Sequence, residues 1–244
     1  MSPVTRIAAF AALLAVSAVP LEAAESTVRS GPERVHLLEL FTSEGCSSCP
    51  PADRFFSTLR TSPRLWKDFV PVAFHVDYWD HLGWKDRLAS AASTARQRAC
   101  AAVWGSGTVY TPGFVLDGRE WRGRGLPGLP APVGNAGVLS AILRDTGEIS
   151  VTFQPAAKSG GRWEAHAALL GLGLSSDVKA GENSGRKLQH DFVALAHGSA
   201  AMSVSGDVAR ATWKLPDAPS AAALAVWINA AGGTEPVQAA GGAL

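Results

Sequence analysis

Cysteine is scarce and excess charge nearly absent, and each shortage excludes something. Three cysteines among 244 residues are too few for a disulfide scaffold of this size. An odd number also leaves one thiol unpaired, so cysteine here signals chemistry more than stapling. The 22 Lys and Arg residues face 21 Asp and Glu, a net charge of +1, which gives no electrostatic reason to expect a nucleic acid or an anionic membrane surface as partner. No apolar run reaches the ~18 residues of a membrane span. What is plentiful is apolar residues, 47% of the chain, enough to bury a core in one large domain or two small ones.

At the N-terminus Arg6 precedes an apolar run from Ile7 to Val19, and Pro20-Leu21-Glu22-Ala23-Ala24 supplies the small residues that export peptidases cut. The alternative is a buried first helix. The expectation is a signal peptide over residues 1–24 and a mature protein, periplasmic or secreted and free of the membrane after cleavage, in a compartment where disulfides persist. No cysteine sits at the expected cut, which argues against a lipid anchor.

Along the mature chain, Val35 to Phe41 reads as a strand, and Thr-Ser-Glu-Gly leads from it into Cys46-Ser47-Ser48-Cys49. Pro50 and Pro51 suit a first helical turn, and Phe55, Phe56 and Leu59 recur at helical spacing up to Arg60. A second strand is expected at Phe69 to Val76 and a long helix at Leu88 to Val103. A strand at Gly113 to Leu116 is joined through Asp117-Gly118 to another at Glu120 to Arg122, a strong hairpin signal. A short helix at Val138 to Arg144 is expected to end a βαβαββα unit over residues 25–145. Beyond Asp145 the short apolar runs 149–153, 163–170, 192–196, 211–215 and 224–228 read as strands of a β-rich, sandwich-like domain over 146–244.

Cys46-x-x-Cys49 between a strand and a helix is the first chemical constellation. Free backbone N–H groups and the partial positive charge of a helix N-terminus stabilise a thiolate. Cys46 is therefore the expected exposed nucleophile and Cys49 the resolving thiol that turns back on a mixed disulfide. The other readings are half of a zinc site, with no second Cys or His pair in view to complete it, and an inert local disulfide. Thr111-Pro112, opening a strand some sixty residues later, is the second constellation. A cis proline there would set its backbone beside the dithiol and leave neighbouring peptide groups free for a substrate chain; an ordinary trans proline at a strand start is the plain alternative.

Four blocks carry a family resemblance: Leu-Glu-Leu-Phe-Thr-Ser-Glu-Gly-Cys-Ser-Ser-Cys-Pro-Pro-Ala-Asp at 38–53, Phe-His-Val-Asp-Tyr-Trp-Asp-His-Leu-Gly-Trp-Lys-Asp at 74–86, Tyr-Thr-Pro at 110–112 and Gly-Glu-Asn at 181–183. Over nearly the whole mature chain it resembles the DUF1223 family of secreted thioredoxin-like proteins. The resemblance implies an α/β, thioredoxin-like fold with a C-terminal all-β domain, and it implies no substrate.

The remaining candidates surround the thiols. His75, Asp77, Tyr78, Trp79, Asp80, His81 and Trp84 form a dense polar and aromatic stretch, of which Tyr78 and Trp79 are expected to shape the substrate groove. His75 or His81 beside the cysteines suits copper, because soft thiolate and imidazole ligands favour it; a hydrogen-bonded loop with packed rings is the competing reading. Glu39, in the first strand, is the candidate general base for Cys49, ahead of Glu44, which a turn would normally expose. Cys100 in its Ala-rich helix reads as a packed spectator. Residues 177–186 read as a loop for partner or interdomain contact. Together these make a dithiol oxidoreductase acting on protein thiols or disulfides, with no organic cofactor required and no resident metal expected. The rivals are a copper-handling protein built on the same cysteines and a non-catalytic binding module.

Overall fold

The structure, a computed structural model, describes residues 25–123, 128–157 and 161–244, so the expected signal peptide lies outside the described residues. Strands dominate. In chain order they and the helices are β1 (Glu25–Arg29), β2 (His36–Thr42), α1 (Pro50–Thr58), β3 (Phe69–His75), α2 (Ala91–Val103), β4 (Gly113–Leu116), β5 (Arg119–Glu120), β6 (Gly137–Arg144), β7 (Glu148–Pro155), β8 (Trp163–Gly171), β9 (Leu174–Asp177), β10 (Lys187–His190), β11 (Val193–Ala201), β12 (Ser203–Ser205), β13 (Val208–Lys214), β14 (Ala223–Ala230) and β15 (Pro236–Ala243).

One sheet has eight strands in the order β15-β14-β8-β11-β3-β2-β4-β5, a second has five in the order β1-β6-β7-β13-β12, and β9 with β10 makes a two-stranded arm. Strands β2 and β3 run parallel in register, Leu40 opposite Ala73. All seven residues of each are buried, as expected of strands covered on both faces. The C-terminal half of the eight-stranded sheet alternates between two cores. In β14, Ala223, Ala225 and Trp227 enter the core shared with α1 and α2, while Leu224, Val226 and Ile228 enter the one shared with the five-stranded sheet.

This architecture corrects the expectation of an α/β, thioredoxin-like fold followed by a separate β domain: the protein is β-rich, with two α-helices among the described residues. The early strand and helix order is as read, but the sheet that holds it continues through β11, β8, β14 and β15, from beyond residue 145. The expected boundary at Asp145 falls in the turn between β6 and β7, which pair with each other, Leu143 opposite Ile149. The expected helix at 138–144 is strand β6, with Leu139 and Ala141 facing the core and β1 and β7 as neighbours; pairing on both edges overrides a weak helical preference.

Local signals explain the elements that frame the site. Ser90 caps α2 by accepting from the Ser93 N–H at 3.1 Å. Asp117 and Gly118 have φ of 50° and 76°, the paired positive angles of a tight hairpin turn. Gln238, fully buried on β15, accepts from the Val35 N–H at 2.8 Å and donates to the Glu33 and Gly137 carbonyls at 2.9 and 2.7 Å. It thereby ties the start of the described chain to its end. No helix among the described residues is long and apolar enough to cross a membrane.

Candidate functional site

The dithiol stands where β2 gives way to α1. Cys49 is the residue before Pro50, and its carbonyl accepts from Ala52 and Asp53 at 2.8 and 3.1 Å, the first bonds of the helix. The proline at the first helical position has no N–H to leave unpaired there. The Cys49 and Cys46 sulfurs lie 2.6 Å apart, and both are free cysteines. The Cys49 thiol beside it is the main cause bringing the Cys46 pKa down to about 6, against burial, with Ser48 and Thr111 assisting. The same contact, together with burial, holds Cys49 far above the usual thiol range. The two cysteines thus differ as nucleophile and resolving thiol must. The expectation of an exposed Cys46 is corrected: it is 1% exposed and Cys49 0%, while Ser47 and Ser48 face solvent.

Thr111-Pro112 is a cis peptide, and the Thr111 carbonyl lies 3.7 Å from the Cys46 sulfur, close enough to accept from its thiol. Tyr78 is half-buried, with Thr111 and both cysteines among the groups acting on its hydroxyl. Trp79 packs on Gly45, where an added Cβ would stand 2.9 Å from the Trp79 Cβ; only a glycine admits that approach. A shallow groove beside the thiols is lined by Ser48, Pro51, Ala52, Phe55, Pro112 and Phe114.

Glu39 lies elsewhere. Thr42, on the same face of β2 as Leu38 and Leu40, faces α1 and donates to Asp53. Glu39 alternates to the opposite face, where it meets Arg96 of α2 at 2.5 Å. The Arg96 guanidinium sits over the rings of Phe74 and Trp227. The partner of Glu39 Oε1 is therefore Arg96, on the face of β2 away from α1. Cys100 is fully buried in α2, and burial pushes its pKa up to about 12.

Sequence reasoning missed a buried polar cluster beneath the dithiol. Glu44, expected at the surface, is wholly buried. It accepts from Trp84 Nε1 at 2.7 Å and lies 3.2 Å from His190 Nε2. His75 Nδ1 is 2.7 Å from Asp86, which also accepts from the Glu44 and Leu88 N–H groups at 2.9 Å. Burial alone would raise the Asp86 pKa, but His75 outweighs it and holds Asp86 at about 2. Asp53, in the first turn of α1, has its pKa raised by burial. The rings of His75 and His190 meet edge to face at 4.8 Å. His81, by contrast, is exposed and bonded to the Tyr78 carbonyl. The loop at 177–186 closes the site: Asn183 donates to the carbonyls of Glu44 and Cys46, both at 2.9 Å, and Glu182 accepts from the Ser47 N–H. The signals available for this cluster were an acid in the first turn after the cysteines and a His-Asp pair closing β10. Neither announces its partners.

The fold and site define a β-rich protein with a buried, asymmetric dithiol at a helix start, clasped by a loop from its distant half. Residues 37–229 match the model of DUF1223, a protein family of unknown function, and the chain belongs to that family. Two solved structures are similar. One, from Agrobacterium tumefaciens, has 24% identity and a TM-score of 0.59 over 86% of this chain and 95% of its own. The HBP35 protein of Porphyromonas gingivalis has 15% identity and a TM-score of 0.59 over 88% of this chain and 76% of its own. These likenesses concern the fold. No curated protein matches.

Proposed function

We propose that this protein is an exported thiol-disulfide oxidoreductase acting on protein thiols or disulfides through Cys46 and Cys49. The observation that carries the reading is the direct contact of the Cys46 and Cys49 sulfurs, 2.6 Å apart, which sets side by side the two atoms that an intramolecular disulfide joins. In the reducing direction the Cys46 thiolate attacks one sulfur of a client disulfide. A Cys46 to client S–S bond forms, the client bond breaks, and the departing client thiolate takes up a proton. Cys49 then loses its proton and attacks the Cys46 sulfur; the intramolecular disulfide forms and the second client thiolate leaves. The client gains two electrons and the dithiol loses two. The reverse sequence oxidises a client dithiol.

The exposed Ser47-Ser48 pair and the groove along Pro51, Phe55 and Pro112 mark the side from which a client chain approaches. The Thr111 carbonyl, 3.7 Å from the Cys46 sulfur, lies beside it. Export rests on the signal-like residues 1–24 and places the chemistry in the periplasm or outside the cell, where disulfides are stable.

The test combines equilibration in glutathione buffers with trapping. A reversible two-electron transition between Cys46 and Cys49 is expected, with Cys49→Ser accumulating mixed disulfides through Cys46 and Cys46→Ser accumulating none. A dithiol that never equilibrates, or equal trapping by the two variants, overturns the reading.

A further inference from the structure

Beneath the dithiol, three side chains from three elements turn unpaired polar atoms toward one another. Asp53 comes from α1, His75 from the end of β3 and His190 from the end of β10, and their exposures are 4%, 0% and 1%. Asp53 Oδ2, His75 Nε2 and His190 Nδ1 have no hydrogen-bond partner. Buried polar atoms are almost always satisfied, and three orphans converging on one point call for an occupant. One potential ligand atom from each residue lies within 4.8 Å of the other two.

We propose that Asp53, His75 and His190 form a binding site for one first-row divalent cation of the zinc type. Two imidazoles and one carboxylate are a donor set such ions favour, whereas a soft monovalent ion would seek the thiolates. The surroundings are those of a metal site. A ligating histidine characteristically gives its other ring nitrogen to a carboxylate, which fixes the tautomer and aims the free lone pair. Here Asp86 holds His75 Nδ1 at 2.7 Å and leaves Nε2 free; His190 Nδ1 lies 3.9 Å from Asp53 Oδ2, while His190 Nε2 stands 3.2 Å from a Glu44 oxygen without forming a hydrogen bond to it. Thr42 occupies the remaining oxygen of Asp53 at 2.9 Å, so the carboxylate has one oxygen to offer.

An ion bound at ~2.1 Å in tetrahedral geometry holds its ligands ~3.4 Å apart. The cluster needs to draw in by about one ångström, and the fourth position is open to water. Bound there, the ion would tie α1 to β3 and to the β9-β10 arm. The site uses neither cysteine, so it stands or falls apart from the exchange chemistry.

The full chain, stripped with a chelator and then titrated with zinc or cobalt against a chromophoric competitor, tests this. One equivalent is expected in the wild type and in the Cys46→Ser/Cys49→Ser double variant, with X-ray absorption showing only nitrogen and oxygen neighbours. Affinity should drop more than ~100-fold in Asp53→Asn and His190→Gln and by ~10-fold in Asp86→Asn, which perturbs His75 from behind. If the ligand variants fail to fold, the wild-type absorption spectrum decides. A sulfur neighbour, loss of binding in the double cysteine variant, unchanged affinity in a folded ligand variant, or no stoichiometric binding by folded wild type would each overturn the proposal.

Discussion

The side-chain amide of Asn183 donates to the Cys46 carbonyl at 2.9 Å, across 137 positions of chain. It also holds the Glu44 carbonyl, so one side chain braces the turn that carries Cys46. Asn183→Ala leaves the buried Glu44 carbonyl unpaired and the Cys46 carbonyl with only the Cys49 N–H as donor. The expected cost is about 2–3 kcal/mol in urea unfolding, together with faster alkylation of Cys46 as the turn loosens. A stability loss below about 0.5 kcal/mol with unaltered alkylation would show that the brace is inert.

Alkylation of Cys46 should follow a titration centred near pH 6, where its thiolate forms, while Cys49 stays unlabelled at neutral pH. The main cause is the Cys49 thiol beside it, so Cys49→Ala should move the Cys46 midpoint upward by more than about one pH unit. An unmoved midpoint in that variant would transfer the credit to Ser48 and Thr111.

Removing Glu39 strands the Arg96 guanidinium, which is 11% exposed beside its fully buried partner. Glu39→Ala is expected to destabilise the protein by about 3–5 kcal/mol while leaving the pH midpoint of Cys46 alkylation in place. Chemical denaturation and iodoacetamide kinetics read the two effects separately. A shifted midpoint with unchanged stability would restore Glu39 to the proton path.

Acid should weaken the fold through two histidines remote from the thiols. Burial, then the charge of Arg96, lowers His166 to about 3 and His197 to about 4. His166 lies stacked on Trp227, with centroids 5.2 Å apart. Below about pH 6.5 the unfolded chain binds protons that the folded chain refuses, so stability from these groups is full above that pH and declines as pH falls toward 4. Each can contribute up to about 1.4 kcal/mol per pH unit. His166→Phe with His197→Leu should flatten the decline in pH-dependent urea titrations; an equally steep decline would place its source elsewhere.

Much of the local structure was legible because its causes are local. The Pro50-Pro51 start of α1, the Ser90 cap of α2 and the Asp117-Gly118 turn each follow from the residues at that point. Strand β6 was not, because Val-Leu-Ser-Ala-Ile-Leu suits either element and the choice is made by β1 and β7. The burial of Glu44 depends on His190, Trp84 and Asn183, and the separation of Glu39 from the thiols depends on the face of β2 that α1 covers. The overall architecture turned on a single parallel contact, Val193 of β11 opposite Ala73 of β3. Nothing in either segment states it.

The knot of bonds at Gln238 bears on how the protein is made. Its amide reaches Val35 across 203 positions, so the edge of the sheet that carries the dithiol is finished by residues far along the chain from its first strands. Folding must close a loop almost as long as the chain itself, a topology that slows the search for the native state. Local hairpins such as β6-β7 can pair early, but a chain cut short of β15 would lack the Gln238 bonds and hold the dithiol on an unfinished sheet.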